Sequence, residues 1–239
     1  MKHSRTPLRY AGGKSKAYGF ISTYIPFWPK PERIVSPFIG GGSLEVRWAN
    51  ELDIEVIGYD VFDMLVNFWK VLLKQPKELS EELSKITPDD KTYKEVKEVL
   101  MSLDKTQDML ADWKTDSYKR KAIISLNKLE RASLYYFNHN TSYGPGYLGW
   151  GSSVYLQADK WKQMCKNINN FKCGNLSVKQ GDYRVTIPHH KNDLLYLDPP
   201  YYLEKDKDNK MFKGIYPMRN IPIHHDGFDH EALRDLLYN

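Results

Sequence analysis

An α/β fold built on a mainly parallel sheet is predicted by three observations. Four short strand-like runs occur at residues 33–38 (RIVSPF), 54–59 (IEVIGY), 176–180 (LSVKQ) and 193–197 (DLLYL). Stretches of helical period, at 44–50, 62–73, 155–169 and 228–237, alternate with them. Each strand candidate also runs straight into unusual chemistry: IGGGS, Asp60, the Gly-Asp pair at 181–182, and DPPYY. Strand–turn–helix alternation favours parallel pairing, and in such sheets ligands bind beyond the carboxyl ends of the strands.

The first strand leads into Gly40, Gly41 and Gly42. Glycines at that place let the backbone approach a ligand and present amides at the start of the helix over 44–50. Their spacing is not that of the dinucleotide fingerprint GxGxxG, and a tight turn explains them equally well. The second strand ends on Asp60, whose carboxylate could accept both hydroxyls of a ribose or simply cap the next helix. Asp182, after the third strand, could cap likewise or meet an adenine amine. On successive strands of one sheet, these residues outline a pocket for an adenosine.

Residues 75–153 break the alternation. PKELSEELSKITPDDKTYKEVKEVLMSLDK is charged and helical in period, with a break at Pro88. An amphipathic run over 118–137 follows, offering Ile123, Ile124, Leu126, Leu129 and Leu134 to a core. NHNTSYGPGYLGWGSS comes next, with four glycines and a proline among aromatics. That composition reads as a hairpin or a mobile loop. The whole segment is read as a mostly helical subdomain inserted into the α/β domain.

The fourth strand ends on DPPYY. The Asp198 carboxylate and the Pro199 carbonyl can both accept hydrogen bonds from a planar exocyclic amine, leaving the nitrogen lone pair free to meet an electrophile. The prolines fix that carbonyl and keep it out of any ladder. Tyr201 offers a face for a flat base. A base within a duplex cannot reach such a site and must be flipped out; a polar strand end with a Pro–Pro turn is the plain alternative.

Composition narrows the class. At 239 residues, with 41% hydrophobic and 27% charged residues, the chain is ordinary for a globular protein. No apolar run approaches the roughly 18 residues of a membrane span, and MKHSRTPLRYAGGKSK lacks the apolar core of a secretory signal. Cys165 and Cys173 have no metal-ligand spacing and suit reduced cytosolic thiols. Charge is uneven: residues 1–33 hold seven Lys or Arg against one acid, Glu32. Such an arm suits a polyanion, or is an ordinary solvated terminus.

The sequence resembles the Dam-type (D12 class) DNA adenine-N6 methyltransferases. The resemblance rests on PLRYAGGKSK (7–16), SPFIGGGSLE (36–45), IGYD (57–60), FNHNTSYG (137–144), GDY (181–183), YLDPPYY (196–202) and FDHEALRDLL (228–237), in the family's order and over nearly the whole chain. It implies a Rossmann-like methyltransferase sheet, S-adenosylmethionine as methyl donor, double-stranded DNA as substrate, no metal and a cytoplasmic setting, with restriction-modification as a context. Residues 1–74 and 154–239 would form the catalytic domain and 75–153 the target-recognition domain. Tyr10 and Lys14 would line the cofactor site near its methionine end, with Gly40, Gly41 and Gly42. Asp60 would hold the ribose and Asp182 the adenine ring, and Asp198 would sit between cofactor and target amine. Asn138 and Asn140, with Tyr143, Tyr147 and Trp150, would contact DNA. Methyl transfer would be an in-line displacement assisted by positioning.

Two departures from the family stand out. Its members often carry a basic residue in the recognition loop, whereas SYGPGYLGWG is aromatic and uncharged. Tyr143, Tyr147 and Trp150 are then expected to intercalate or stack instead of reading guanine by a guanidinium fork. The family also continues past the 228–237 helix with further strands. Here the sequence stops at Asn239, so those strands are expected to be missing and the 193–197 strand open on one side. Rival readings are an RNA or protein-amide methyltransferase, a truncated non-catalytic DNA-binding module and a nicotinamide-dependent dehydrogenase; the glycine spacing disfavours the last.

Overall fold

The computed structural model describes residues 5–103, 126–144, 146–201 and 228–238. Four strands, β1 (Arg33–Ser36), β2 (Glu55–Asp60), β3 (Leu176–Gln180) and β4 (Leu194–Leu195), form one parallel sheet in the order β3-β2-β1-β4. All four predicted strands are present, and two are shorter than read. β1 stops at Ser36 because Pro37 has no amide to continue the ladder. β4 spans two residues, although the Tyr196 amide still donates to the Val35 carbonyl at 2.8 Å. Among the described residues β4 pairs with β1 alone.

Side chains alternate across the strands with period two. Ile34, Val56, Leu176 and Val178 share a core with helices α2 (Glu45–Glu51) and α3 (Asp63–Lys74). Val35, Ile57 and Tyr59, with Leu195 against them, form a separate cluster. Helix α3 buries Met64, Leu65, Val66, Phe68, Trp69, Val71 and Leu72. A helix apolar nearly all round needs cover on more than one side, and α3 has it: the sheet on one side, further helices on the other.

Those further helices come from the 75–153 segment. α4 (Pro76–Ser84) and α5 (Asp90–Leu103) flank the predicted break, where the Asp89 carboxylate accepts the Thr92 amide at 2.7 Å. α6 (Lys128–Thr141) starts at Asn127 with a capping box: the Asn127 side chain accepts from Leu129 and Glu130, and the Glu130 carboxylate accepts the Asn127 amide. Residues 118–125 of the predicted amphipathic run, Ile123 and Ile124 included, lie outside the described residues. Among the described residues this segment does not enclose a core of its own. Leu79, Leu83, Tyr93, Tyr136 and Phe137 join Phe68 and Trp69 in one cluster, with the Phe68 and Tyr136 rings stacked at 5.3 Å.

α6 also runs to Thr141, whereas the sequence assigned NHNT to a loop. Each of these four polar residues is buried and finds backbone partners, so the helix continues where composition predicts a turn. The chain is completed by a 3-10 turn at Ser15–Ala17 and helices α1 (Tyr18–Ser22), α7 (Ala158–Asn169), α8 (Tyr183–His189) and α9 (His230–Tyr238). Among the described residues no helix is long and apolar enough to cross a membrane.

The strand order fixes where a ligand can sit. From β1 the chain moves outward through β2 to β3, then returns across the sheet to β4 on the far side of β1. The strand order therefore reverses at β1, with β2 on one side and β4 on the other, and a crevice opens beyond the carboxyl ends of those strands.

Candidate active site

A cavity of about 370 Å³ fills this crevice. Its walls bring together Tyr10, Lys14, Gly40, Gly41, Gly42, Asp60, Asp182, Asp198, Pro199 and Tyr201 from separate stretches of the chain. Around them stand Phe38, Ile39, Phe62, Tyr183 and Phe228, flat or branched apolar groups.

The glycine turn after β1 is required by its neighbours. A Cβ on Gly41 would lie 2.3 Å from the Tyr10 Cβ, and one on Gly42, at φ +59°, would lie 2.7 Å from the Trp69 ring. Tyr10 is thus laid flat against the turn, and the Trp69 indole N–H donates to the Gly40 carbonyl at 3.0 Å to hold it. Asp60 ends β2 and does two things: one oxygen accepts the Gly40 amide at 3.2 Å, the other the Phe62 amide at 3.0 Å. The capping alternative is not realised, since the Phe62 amide precedes α3 and that helix has no side-chain cap; Asp60 instead fixes the turn into it, on a carboxylate that also faces the cavity. Asp182 caps α8 by accepting the Arg184 amide at 2.8 Å, and the Arg184 guanidinium grips both its oxygens. That hydrogen bonding holds its carboxyl below the usual range.

At the β4 side, the Lys14 ammonium sits 2.6 Å from Asp198 and donates to the Tyr201 hydroxyl at 3.0 Å and the Gly12 carbonyl at 2.9 Å. Desolvation works against the Lys14 charge, but the bonds to Asp198 and Tyr201 outweigh it and raise its pKa. Glu45, one turn into the cavity wall at the start of α2, accepts the Ser36 hydroxyl at 2.8 Å and the Leu44 amide at 3.2 Å. Burial, with Asp198 adding to it, pushes the Glu45 carboxyl up to about 7. Sequence reasoning missed this residue. An acid in the first turn of a helix ordinarily reads as a solvated partner of the helix dipole.

The residues expected to contact DNA divide into two sets. Asn138 and Asn140 are fully buried, and the structure does not bring them to a surface. Asn138 accepts the Leu148 amide at 2.7 Å, while Asn140 accepts the Arg9 amide and donates to the Pro7 carbonyl, both at 3.0 Å. Tyr147 packs edge-on to Phe62 at 5.0 Å and against Tyr135. Tyr143 and Trp150 are 78% and 72% exposed. They face each other across a short hairpin, in which Ser142 bridges Gly151 and the Tyr143 amide donates to the Trp150 carbonyl at 2.7 Å.

Arg9, another residue not singled out from sequence, ties the hairpin to the cavity. Its guanidinium donates to the Asn140 and Ser142 carbonyls at 2.6 and 3.0 Å and lies 3.3 Å over the Tyr155 ring. Its neighbour Tyr10 stacks on His139 at 5.4 Å. His139 donates from Nε2 to the Arg9 carbonyl at 2.8 Å, which leaves Nδ1 buried and unprotonated. Burial drives its pKa from 6.5 down to about 4. The unfolded chain then binds more protons than the folded one between those values, so stability falls as pH falls through that window. A His139→Gln variant keeps the donor but not the titration. The parent's stability relative to that variant, from urea melts, should drop by about 3 kcal/mol between pH 7.5 and pH 4. A constant difference would contradict the buried neutral imidazole.

Among the described residues no group of three or more His, Cys, Asp or Glu is placed to hold a metal ion. The family model described as D12 class N6 adenine-specific DNA methyltransferase matches residues 10–238, nearly the whole chain. No curated protein matches the chain.

Proposed function

Since the chain belongs to the D12 class of N6 adenine-specific DNA methyltransferases, a family of enzymes, we propose that its cavity takes S-adenosylmethionine as methyl donor and an adenine flipped out of duplex DNA as acceptor. One observation carries this reading: the glycine turn, Asp60, Asp182, Lys14 and the Asp198-Pro199 corner converge on a single cavity at the strand-order switch. The donor set suits such a cofactor. Apolar faces at Phe38, Phe62, Tyr183 and Phe228 match a flat base, Asp60 matches a ribose, and carboxylates at Asp198 and Glu45 match a cationic tail. The same reading makes the sheet Rossmann-like and gives residues 75–153 the recognition role, inserted between the two catalytic parts 1–74 and 154–239.

When bound, the cofactor supplies a methyl group on a positively charged sulfur. The chain's part is to aim a weak nucleophile. Asp198 accepts one proton of the adenine amine and the Pro199 carbonyl the other, which turns the nitrogen lone pair toward the methyl carbon. Tyr201 stacks on the base and fixes its plane. Lys14 holds the Asp198 carboxylate and the Tyr201 hydroxyl together, so both are set before the base arrives. The amine would take the methyl group as the methyl–sulfur bond breaks and leaves a neutral thioether, and would then lose a proton, for which Asp198 is the adjacent acceptor.

Tyr143 and Trp150 are assigned to the DNA, as exposed aromatics at the base of a hairpin anchored by Arg9. Replacing both by alanine should weaken duplex binding by about tenfold or more, since base–aromatic stacking is worth about 1–3 kcal/mol per base. Cofactor affinity should be unchanged. Normal DNA binding by the double variant, measured by fluorescence anisotropy, would remove the hairpin from the interface. The reading as a whole is tested by offering labelled S-adenosylmethionine with duplex DNA, RNA or a glutamine peptide. Label is expected in the DNA; label in RNA or peptide alone would overturn the substrate assignment.

A further inference from the structure

We propose that Glu45 is a second anionic contact, beside Asp198, for the positively charged end of the cofactor, and that it releases its proton when that ligand binds. The inference rests on the cofactor reading above. Glu45 lines the cavity and is only 3% exposed. Its carboxylate is met by neutral donors, its own backbone amide, the Ser36 hydroxyl and the Leu44 amide. Among the described residues no cationic side chain pairs with it.

The charged and titratable groups facing Glu45 do not relieve it. Asp198, just past the end of β4, adds a second negative charge and raises the pKa of the Glu45 carboxyl. Lys14 is the nearby cation, and it is committed to Asp198 at 2.6 Å. Tyr196, on the same stretch as Asp198, is a neutral phenol whose ionisation burial and both carboxylates oppose. A buried carboxylate without a counter-charge keeps its proton more readily than an exposed one. Held near 7, Glu45 is divided between both forms at neutral pH.

The ligand that changes this balance is a cation placed in the cavity. S-adenosylmethionine carries a sulfonium and an ammonium, and either beside Glu45 favours the carboxylate over the acid. Binding and ionisation are then reciprocal: the cofactor expels the proton, and a proton weakens the cofactor. Two carboxylates also divide the work. Lys14 holds Asp198 oriented toward the amine, while Glu45 meets the charge of the ligand.

Calorimetry of the full chain with S-adenosylmethionine at pH 7, in buffers of different ionisation enthalpy, counts the protons released. The parent should release roughly half a proton more than Glu45→Gln, because a group titrating at about 7 is half protonated there. Comparison with the variant cancels the ligand's own titration. From pH 6 to pH 8 the parent's affinity should rise about tenfold relative to the variant. Ser36→Ala removes a donor to the ionised form and should increase release beyond the parent's. Equal proton counts in the parent and Glu45→Gln would overturn the proposal, as would an unchanged count in Ser36→Ala should Glu45→Gln fail to fold. Absence of binding in every buffer would overturn the cofactor reading itself.

Discussion

Asp198→Ala should lower the rate of methyl transfer by at least about 10²–10³, the usual cost of one preorganised polar contact at a reacting centre. The loss should exceed that range, because the substitution removes several things at once. The adenine amine loses an acceptor, and its lone pair is no longer aimed. The product loses its adjacent proton acceptor. Lys14, now without its partner at 2.6 Å, becomes a free cation facing a cationic cofactor. Part of the defect will therefore appear as weaker cofactor binding, so single-turnover rates at saturating cofactor are the informative measurement. Asp198→Asn keeps one acceptor oxygen and should retain more activity than alanine. The side chain is 30% exposed and outside the main core, so melting temperature should change little. A rate within about threefold of the parent would contradict the assignment, since misplacing a base should cost far more than that.

Asp60→Ala should weaken cofactor binding by about tenfold to a hundredfold, the worth of one charge-assisted hydrogen bond at about 1.5–3 kcal/mol. A second contribution reaches the glycine turn. Asp60 accepts the Gly40 amide, so its removal unpins the loop that Tyr10 lies against. Asp60→Asn keeps an acceptor for one of the two amides and should fall between parent and alanine. The effect belongs in the dissociation constant, with turnover at saturating cofactor close to the parent's. An unchanged dissociation constant by calorimetry would sink the ribose role while leaving the hold on the Gly40 and Phe62 amides intact.

The legible part of the molecule follows from local chemistry. The strands were readable because β-branched and aromatic residues alternate within short bounded runs. Gly40–Gly42, Asp60, Asp182 and Asp198 were readable because each sits directly after such a run, and parallel topology gathers strand ends in one place. Asn127-Lys-Leu-Glu130 is also a capping-box signature and marks the true start of α6, which the sequence reading passed over.

The illegible part depends on contacts distant in sequence. Asn138 and Asn140 look like loop residues until segment 7–9 docks more than 130 positions away and occupies their amides. Tyr147 reads like Tyr143 and Trp150, yet its ring meets Phe62 and turns inward. Glu45 is charged and helix-initial, and its burial follows only from the position of α2 against β1 and the cavity. Arg9 looks like one more cation of a basic arm, whereas its partners are two carbonyls at the end of α6 and an aromatic ring.

The central claim is that this cavity carries a methyl group from S-adenosylmethionine to the N6 amine of adenine in DNA. Its most direct test is to incubate the chain with duplex DNA and methyl-deuterated S-adenosylmethionine, digest the DNA to nucleosides and weigh them. The account predicts N6-methyladenine carrying the deuterated methyl group with the parent chain, and none above background with Asp198→Ala. Deuterated methyl on cytosine, or equal N6-methyladenine from the parent and Asp198→Ala, would contradict it.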